Sequence, residues 1–464
     1  MSAGIAERAA TLRRQLPAEC LDEASEHVAR EAVSLARWAT SKRPVAVGVL
    51  GERTVDRLIT HRLAGFALMG VLMFVVLWIT IVGAAYPSDW LFVLLVQNGH
   101  AWLQQLFLAA GAPWWLTGLL VDGAYLGVAW VVAVMLPPMA IFFPLFALLE
   151  ESGYLPRVAF NLDRLFARAG SHGRQSLSMM VGFGCNAAGV TAARVIDSPR
   201  ERLIAVLTNN FSICNGRWPT LILMSTVFLG ATAPPALAGV VAAACVVTVA
   251  VLGVVVTLVV SFVLSRTALR GEASVFTLEL PPFRRPQVGR LLWDTLRRRT
   301  MVLLGRAVRV SAPAGVLIWL VGAVRISGEP LSVMIASALE PLGWLMGLNG
   351  VILLAFVLAI PANEVVIPTI LLLTLQVHGG AARVLTDVSD GQVHSVLVQT
   401  GGWTTLTACC LMLFSLLHNP CGTTLFTIYR ETTSLRWTVM SAVIPLAIGF
   451  AACAAVAGAV RAIT

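Results

Sequence analysis

Long apolar runs alternate with short polar and basic segments along nearly the whole chain. Each run is about as long as the ~20 residues that an α-helix needs to cross a bilayer. This pattern predicts an all-α polytopic membrane protein with about eight transmembrane helices. The predicted spans are about 65–86, 118–149, 203–230, 236–264, 308–325, 350–375, 403–428 and 437–460.

The apolar pattern is interrupted by Gly, Pro and Asn at matching places in two halves of the sequence. In the first half VGFGCNAAG (181–189) is followed by SICNGRWPT (212–220), and in the second AIPANEVVIP (359–368) is followed by LLHNPCGTT (416–424). Non-helical backbone survives at membrane depth only inside the protein or beside a wet cavity. Matched interruptions in two halves point to a transporter's central binding site. We therefore expect two gate-type halves with broken or re-entrant helices.

The polar segments divide the chain into four predicted regions. An amphipathic stripe over 21–40 indicates a soluble helix ahead of the first span, and an Arg-rich amphipathic stretch separates the two halves. The predicted regions are a cytoplasmic helical arm (1–50), a first membrane half (51–264), a cytoplasmic linker with a surface helix (265–308) and a second membrane half (309–464).

Composition and charge agree with a membrane protein and argue against a nucleic-acid partner. The chain is 58% hydrophobic and 12% charged, and its net charge of +9 resides in clusters between the apolar runs, at 8–62, 157–202 and 266–309. This is the positive-inside pattern, so these segments and the N-terminus are predicted to be cytoplasmic. Anionic membrane lipids are the partners that such clusters favour.

Glu364 provides the most informative chemistry in the sequence. It is the only formal charge in the 25 residues 351–375, and Pro361 and Pro368 flank it. A charge at the bilayer centre costs about 2.5–3.5 kcal/mol on insertion scales. Each proline removes a backbone donor and frees a carbonyl. A broken helix that carries an acid is typical of a transporter's cation site.

The interruptions also concentrate sulfur, amide and imidazole groups. This mixture suits a borderline divalent transition metal better than Mg²⁺ or Ca²⁺, which take oxygen ligands. The alternatives are that the cysteines are small core side chains, that the asparagines cap helix ends, and that His418 bonds a freed carbonyl. The candidate metal ligands are Cys185, Asn186, Cys214, Asn215, Asn363, Glu364, His418 and Cys421. Glu150 and Glu151 are further candidates, as an exit or gate position or as a solvated helix end.

Five stretches, at 56–76, 118–166, 182–219, 362–370 and 419–445, resemble the membrane region of the ferrous iron transport protein B (FeoB) family, over about 50–464 in all. The resemblance implies import of Fe²⁺ across a bacterial cytoplasmic membrane. It places the family's cysteines on Cys185, Cys214 and Cys421, its gate glutamate on Glu364, and its acidic pair on Glu150 and Glu151.

The sequence departs from that family in three places. A P-loop needs GxxxxGK[ST], whereas the one lysine, Lys42, follows Ser41 with no glycine-rich loop before it. We therefore expect no enzyme activity in this chain and a GTPase on a separate subunit. Ala187-Ala188 replaces a family proline, and Asn363 replaces a family lysine. Without that lysine, a cation or a proton is expected to balance Glu364.

The sequence therefore predicts a multi-pass inner-membrane permease with Fe²⁺ as cargo and no permanently bound cofactor. The expected partners are membrane lipids, a separate GTPase subunit, a small accessory protein and further copies of the chain, with no nucleic acid. Two alternatives remain open at this point. One is a transporter of another divalent metal or of nucleosides on the same architecture, and the other is a non-transporting scaffold subunit.

Overall fold

The structure is a computed structural model. It describes residues 27, 30–32, 34–35, 56–61, 64–170, 173–234, 237–271, 287–326, 328–377 and 395–463. The chain divides into two compact units, Met1–Arg57 and Leu58–Thr464. In the first unit the described residues from 27 to 35 are helical, as the amphipathic stripe predicts, while the rest of the predicted arm lies outside the described residues.

The second unit is built almost entirely from helices, which confirms the predicted all-α polytopic class. Its only strands among the described residues are two antiparallel strands of two residues each, β1 (Arg325–Ile326) and β2 (Glu329–Pro330). The long helices are α1 (Ala64–Ala109), α2 (Trp114–Glu151), α8 (Ala238–Arg266), α9 (Val288–Ala323) and α15 (Leu435–Ile463). The shorter helices of the first half are α3 (Tyr154–Arg168), α4 (Gln175–Gly184), α5 (Asn186–Ala192), α6 (Pro199–Thr208) and α7 (Trp218–Thr232). Those of the second half are α10 (Leu331–Leu345), α11 (Gly350–Leu358), α12 (Val366–Val377), α13 (Thr405–Leu417) and α14 (Gly422–Thr432).

Six helical segments in the described residues are long and apolar enough to span a bilayer, or seven if α10 and α11, which meet at 109°, form one bent span. The predicted number was about eight. The run 203–230 is split because a polar stretch, 209–217, interrupts its helix. The run 350–375 is split after Leu358, as the prolines around Glu364 predict.

Two further differences concern the ends of the predicted spans. The segment 87–109 continues α1 instead of leaving the helix, because its leucines, valines and tryptophans sustain the apolar pattern. The amphipathic stretch predicted for the linker runs without a break into the following span as the single helix α9.

The two largest buried apolar clusters among the described residues join most of the helices. The larger joins α6, α7 and α8 to α11, α12 and α13, with Phe211, Ile352 and Leu416 fully buried. The smaller packs α2 against α3 and α4 through Phe142, Phe146 and other apolar side chains. Between helices in lipid, van der Waals packing of this kind takes the place of the hydrophobic driving force that acts in water. The two clusters fix the helix ends between which the interruptions lie.

Candidate functional site

The four sequence interruptions are four breaks between helices. The first is Cys185 between α4 and α5, the second is Ser212–Arg217 before α7, the third is Ala359–Ala362 after α11, and the fourth is His418–Cys421 between α13 and α14. Cys185 has φ −155° and ψ 121°, and Ala362 has φ −152° and ψ 119°. Each is followed by an asparagine that restarts a helix. The two halves therefore repeat the same local backbone.

Within each half, one backbone hydrogen bond joins the two breaks. In the first half the Asn215 amide donates to the Gly184 carbonyl at 3.1 Å, and in the second half the Gly422 amide donates to the Ile360 carbonyl at 2.7 Å. Buried backbone groups must be paired, and here groups freed by one break pair with groups freed by the other. The matched pattern predicted from the sequence is thus present in three dimensions.

Arg217 joins the breaks of the two halves. It is 1% exposed, and its guanidinium donates to the Asn210 carbonyl at 2.7 Å and to Asn210 Oδ1 at 3.0 Å. It also reaches three carbonyls of the second half, those of Leu416 at 3.2 Å and of His418 and Asn419 at 3.4 Å each. The planar fork of arginine suits several acceptors at once.

Sequence reasoning did not single out Arg217. The sequence feature that could have identified it is an arginine inside a polar break of an apolar run, SICNGRWPT (212–220). An arginine at membrane depth is rare and faces the protein interior. Asn210 was missed as well. Its side-chain amide donates to the His418 carbonyl at 2.7 Å.

A cavity of about 30 Å³ lies where the breaks converge. That space is enough for a water-sized occupant. It is lined by the predicted residues Cys185, Asn186, Cys214, Asn215, Asn363, Glu364 and Cys421, together with Met135, Met139, Gly184, Gly216, Pro361, Ala362 and Thr423. Seven of the ten predicted site residues, from sequence positions far apart, therefore surround one small space.

The Glu364 carboxylate lies directly against Gly216. A Cβ atom added to Gly216 would overlap Glu364 Oε1, so glycine is the residue that lets the first half approach the acid of the second. None of the ion pairs among the described residues includes Glu364. Asn363, which precedes it, directs its amide to Cys214 Sγ at 3.7 Å.

His418 lies behind this cavity and is not among its described lining residues. Its Nδ1 is 2.8 Å from the Ser415 carbonyl, and its Nε2 is 3.2 Å from Asn363 Oδ1. The first contact matches the alternative in which His418 bonds a carbonyl freed by the break. The second makes His418 a support for Asn363.

Glu150 and Glu151 lie away from the cavity, at the exposed end of α2. Glu150 Oε2 pairs with Arg299 Nη1 of α9 at 3.0 Å. The structure therefore groups Glu150 with the basic stretch of α9 and not with the thiols.

The cavity side chains offer the ligand types that a borderline dication prefers, namely thiol sulfur, amide oxygen, thioether sulfur and carboxylate. Within the described residues, however, no three His, Cys, Asp or Glu side chains stand close enough together to hold a metal ion. The donors surround a space but are not drawn together around one point. A cation would have to draw them inward.

Two family models match this chain. One, described as "Gate: Nucleoside recognition", matches residues 132–228 and 304–435, which contain all four breaks. The other, "Ferrous iron transport protein B C terminus", matches residues 246–298. The two matches identify the membrane region of the FeoB family.

Curated FeoB relatives align with most of the chain. The "Fe(2+) transporter FeoB" of Staphylococcus aureus strain MSSA476 is 28% identical over 403 residues, which are 84% of this chain and 56% of the relative. That of Synechocystis sp. is 31% identical over 401 residues, 84% of this chain and 60% of the relative. The "Fe(2+) transport protein A/Fe(2+) transporter FeoB fusion protein" of Porphyromonas gingivalis is 32% identical over 235 residues, 50% of this chain and 26% of the relative.

The chain thus spans little more than half the length of the first FeoB relatives that it matches. No solved structure matches it. The matches confirm the predicted family and its membrane region. The ligand assignments, which no match tests, stay predictions.

Proposed function

We propose that this chain is the membrane permease of a ferrous iron importer and that Fe²⁺ passes through the cavity between the four breaks. The observation that carries the proposal is the convergence of Cys185, Cys214, Cys421 and Glu364 from both halves on one space of about 30 Å³. An acid stranded among apolar helices is costly unless a proton, a partner or a cation balances it. The family relatives named as Fe(2+) transporters support Fe²⁺ as that cation.

In this proposal the thiols, Glu364 and the amides of Asn186, Asn215 and Asn363 bind the ion in passing. Sulfur ligands select a softer dication over Mg²⁺ and Ca²⁺. His418 positions Asn363. Glu150 and Glu151 are left out of the cavity site because Glu150 pairs with Arg299.

The nucleoside alternative is disfavoured by the size and lining of the cavity. A space of about 30 Å³ is far below the ~300–1,000 Å³ of small-molecule sites. Its described lining also contains no aromatic side chain on which a base could stack. A scaffold without transport would gain nothing from a repeated geometry of broken helices in both halves.

Several finer features belong to the same proposal. The basic ends of the helices, including the N-terminal region, face the cytoplasm of a bacterial inner membrane. A GTPase on a separate subunit stays a prediction from the sequence analysis. The fusion relative from P. gingivalis supports a small accessory partner of the Fe(2+) transport protein A type. Self-association remains a prediction from the sequence analysis.

The test is uptake of radioactive Fe²⁺ in cells that lack other ferrous importers. Glu364→Ala and Cys185→Ser should each lower uptake at least about tenfold, since even residues that only support a metal ligand cost about 10–100-fold. Cys245→Ser is the matched control, because Cys245 lies in α8 and is not among the cavity's described lining residues. Membrane insertion is measured in parallel with a C-terminal fluorescent tag. Normal uptake by both cavity variants would refute the assignment of the site.

Metal selectivity is tested in the same cells by competition. An excess of Mn²⁺ or Zn²⁺ that fails to slow Fe²⁺ uptake supports a ferrous-selective path, whereas uridine should have no effect. Inhibition by uridine would revive the nucleoside alternative.

A further inference from the structure

A second cavity, of about 450 Å³, lies between the middle of α9 and residues of α2 to α5. It is separate from the cation cavity, with which it shares no lining residue. Its volume falls in the ~300–1,000 Å³ range of small-molecule sites. The apolar part of its wall consists of Phe143, Phe146, Leu155, Leu177, Val302 and Leu303.

The charged part of the wall is strongly basic. Three arginines of α9, Arg298, Arg299 and Arg306, line the cavity against one acid, Glu150. Arg298 pairs with Asp294 of its own helix at 3.6 Å, and Arg299 pairs with Glu150 at 3.0 Å. Arg306 donates to Thr427 Oγ1 at 3.3 Å. Each guanidinium has five N–H donors, so these contacts leave donors for a ligand. The net charge of the wall disfavours a dication and favours an anion.

The apolar wall opens toward the surface of the helix bundle. Met301 and Val302 on α9 are 44% and 49% exposed, and Val302 also lines the cavity. An acyl chain could therefore follow one continuous apolar surface from the cavity to the outside. Arginine forks match the geometry of phosphate oxygens. Basic pockets at the cytoplasmic ends of membrane helices are suited to phospholipid headgroups.

We propose that this cavity is a specific binding site for one acidic phospholipid. Arg298 and Arg306 bind its phosphate group, and an acyl chain lies along Phe143, Phe146 and Val302. The site differs from the general attraction between basic segments and an anionic membrane, because it depends on the arginines that line the cavity and not on the basic residues as a group. It is also independent of the proposed transport of iron.

The chain contains a matched control for this distinction. Arg297 and Arg309 lie on the same helix and are exposed, but neither lines the cavity. The double variants Arg298→Gln/Arg306→Gln and Arg297→Gln/Arg309→Gln remove the same charge from the same helix. Only the first removes it from the cavity wall. Circular dichroism and size-exclusion profiles establish that both variants are folded.

The experiment is native mass spectrometry of the full chain released from detergent after incubation with phosphatidylglycerol or, separately, phosphatidylcholine. We expect wild type and the Arg297/Arg309 variant to retain one phosphatidylglycerol and little phosphatidylcholine. The fraction of protein with bound phosphatidylglycerol should be at least about tenfold lower for the Arg298/Arg306 variant. Equal retention by both variants, or an equal loss in both, would overturn the site. So would retention of the two lipids to the same degree.

A competition arm distinguishes a lipid from a soluble phosphate. Glycerol 3-phosphate in millimolar excess carries the same anionic group without acyl chains. We expect it to leave the bound phosphatidylglycerol in place, since the apolar wall contributes to lipid binding. Complete displacement at that concentration would show that the cavity recognises phosphate alone and would overturn the lipid assignment.

Discussion

Replacing Arg217 by lysine or methionine tests whether one buried guanidinium holds the two halves of the site together. Its side chain is fully enclosed, and it reaches five acceptors on both halves. The two contacts with Asn210, at 2.7 and 3.0 Å, are the shortest. Lysine keeps the charge but loses the fork, whereas methionine keeps much of the volume and removes every donor.

The magnitude follows from these contacts. A hydrogen bond to a charged group contributes about 1.5–3 kcal/mol, so Arg217→Lys, which loses at least one short bond, should cost about that much. Arg217→Met removes all five contacts. The His418 carbonyl and Asn210 Oδ1 keep donors from Asn210 and Asn186, but the carbonyls of Asn210, Leu416 and Asn419 lose theirs, at about 1–3 kcal/mol each. The substitution also recovers the desolvation free energy of one buried ion, which is several kcal/mol. The unpaired acceptors outweigh that recovery, and we expect methionine to be the more destabilising change.

The assay is the midpoint temperature of unfolding in detergent, followed by fluorescence-detected size exclusion after heating. The expected order is wild type above Arg217→Lys above Arg217→Met. Arg309→Lys, at an exposed position, is the control and should match wild type. A methionine variant as stable as wild type, or more stable, would refute the reasoning, since it would mean that desolvation of the guanidinium outweighs its hydrogen bonds.

Two further predictions concern contacts between the halves. Gly216→Ala should lower Fe²⁺ uptake at least about tenfold, because its new methyl group would displace the Glu364 carboxylate. Gly70→Ala is the control, since an added Cβ there meets nothing within 4 Å. Normal uptake by Gly216→Ala would contradict the close approach of Gly216 to Glu364. Glu431→Gln should lower the free energy of unfolding by at most about 1 kcal/mol. Glu431 forms a bidentate ion pair with Arg194, whose side chain is 65% exposed, so solvent screens the pair. A loss of several kcal/mol in chemical unfolding would contradict this and show that the pair is a main link between the halves.

The sequence was sufficient to predict features that depend on local chemistry. Glu364 and its flanking prolines predicted a broken helix, and the chain does break there. The matched positions of the asparagines predicted a repeat, and Cys185 and Ala362 adopt the same backbone angles. Polytopic class follows from the long apolar runs, because few other structures satisfy their backbone in lipid.

Features that depend on distant residues could not be predicted in this way. Arg217 contacts carbonyls about 200 positions further along the chain, and nothing near it in sequence identifies them. Glu150 meets Arg299 across 149 positions, and nothing near Glu150 in sequence identifies that partner. The described residues contain six or seven candidate spans against about eight predicted, because the run 203–230 is apolar on average yet contains the polar break that forms part of the site.

The contacts of Arg217 have a consequence for how such a molecule can move. A carrier that alternates between two open states rocks one repeat against the other around a central site. A guanidinium bonded to carbonyls of both repeats would be the point about which they rotate. It holds those carbonyls at a fixed separation while the helix ends on either side move apart. Spin labels placed beside Asn210 and Leu416 should then report one unchanging distance, while labels at the two membrane surfaces report two.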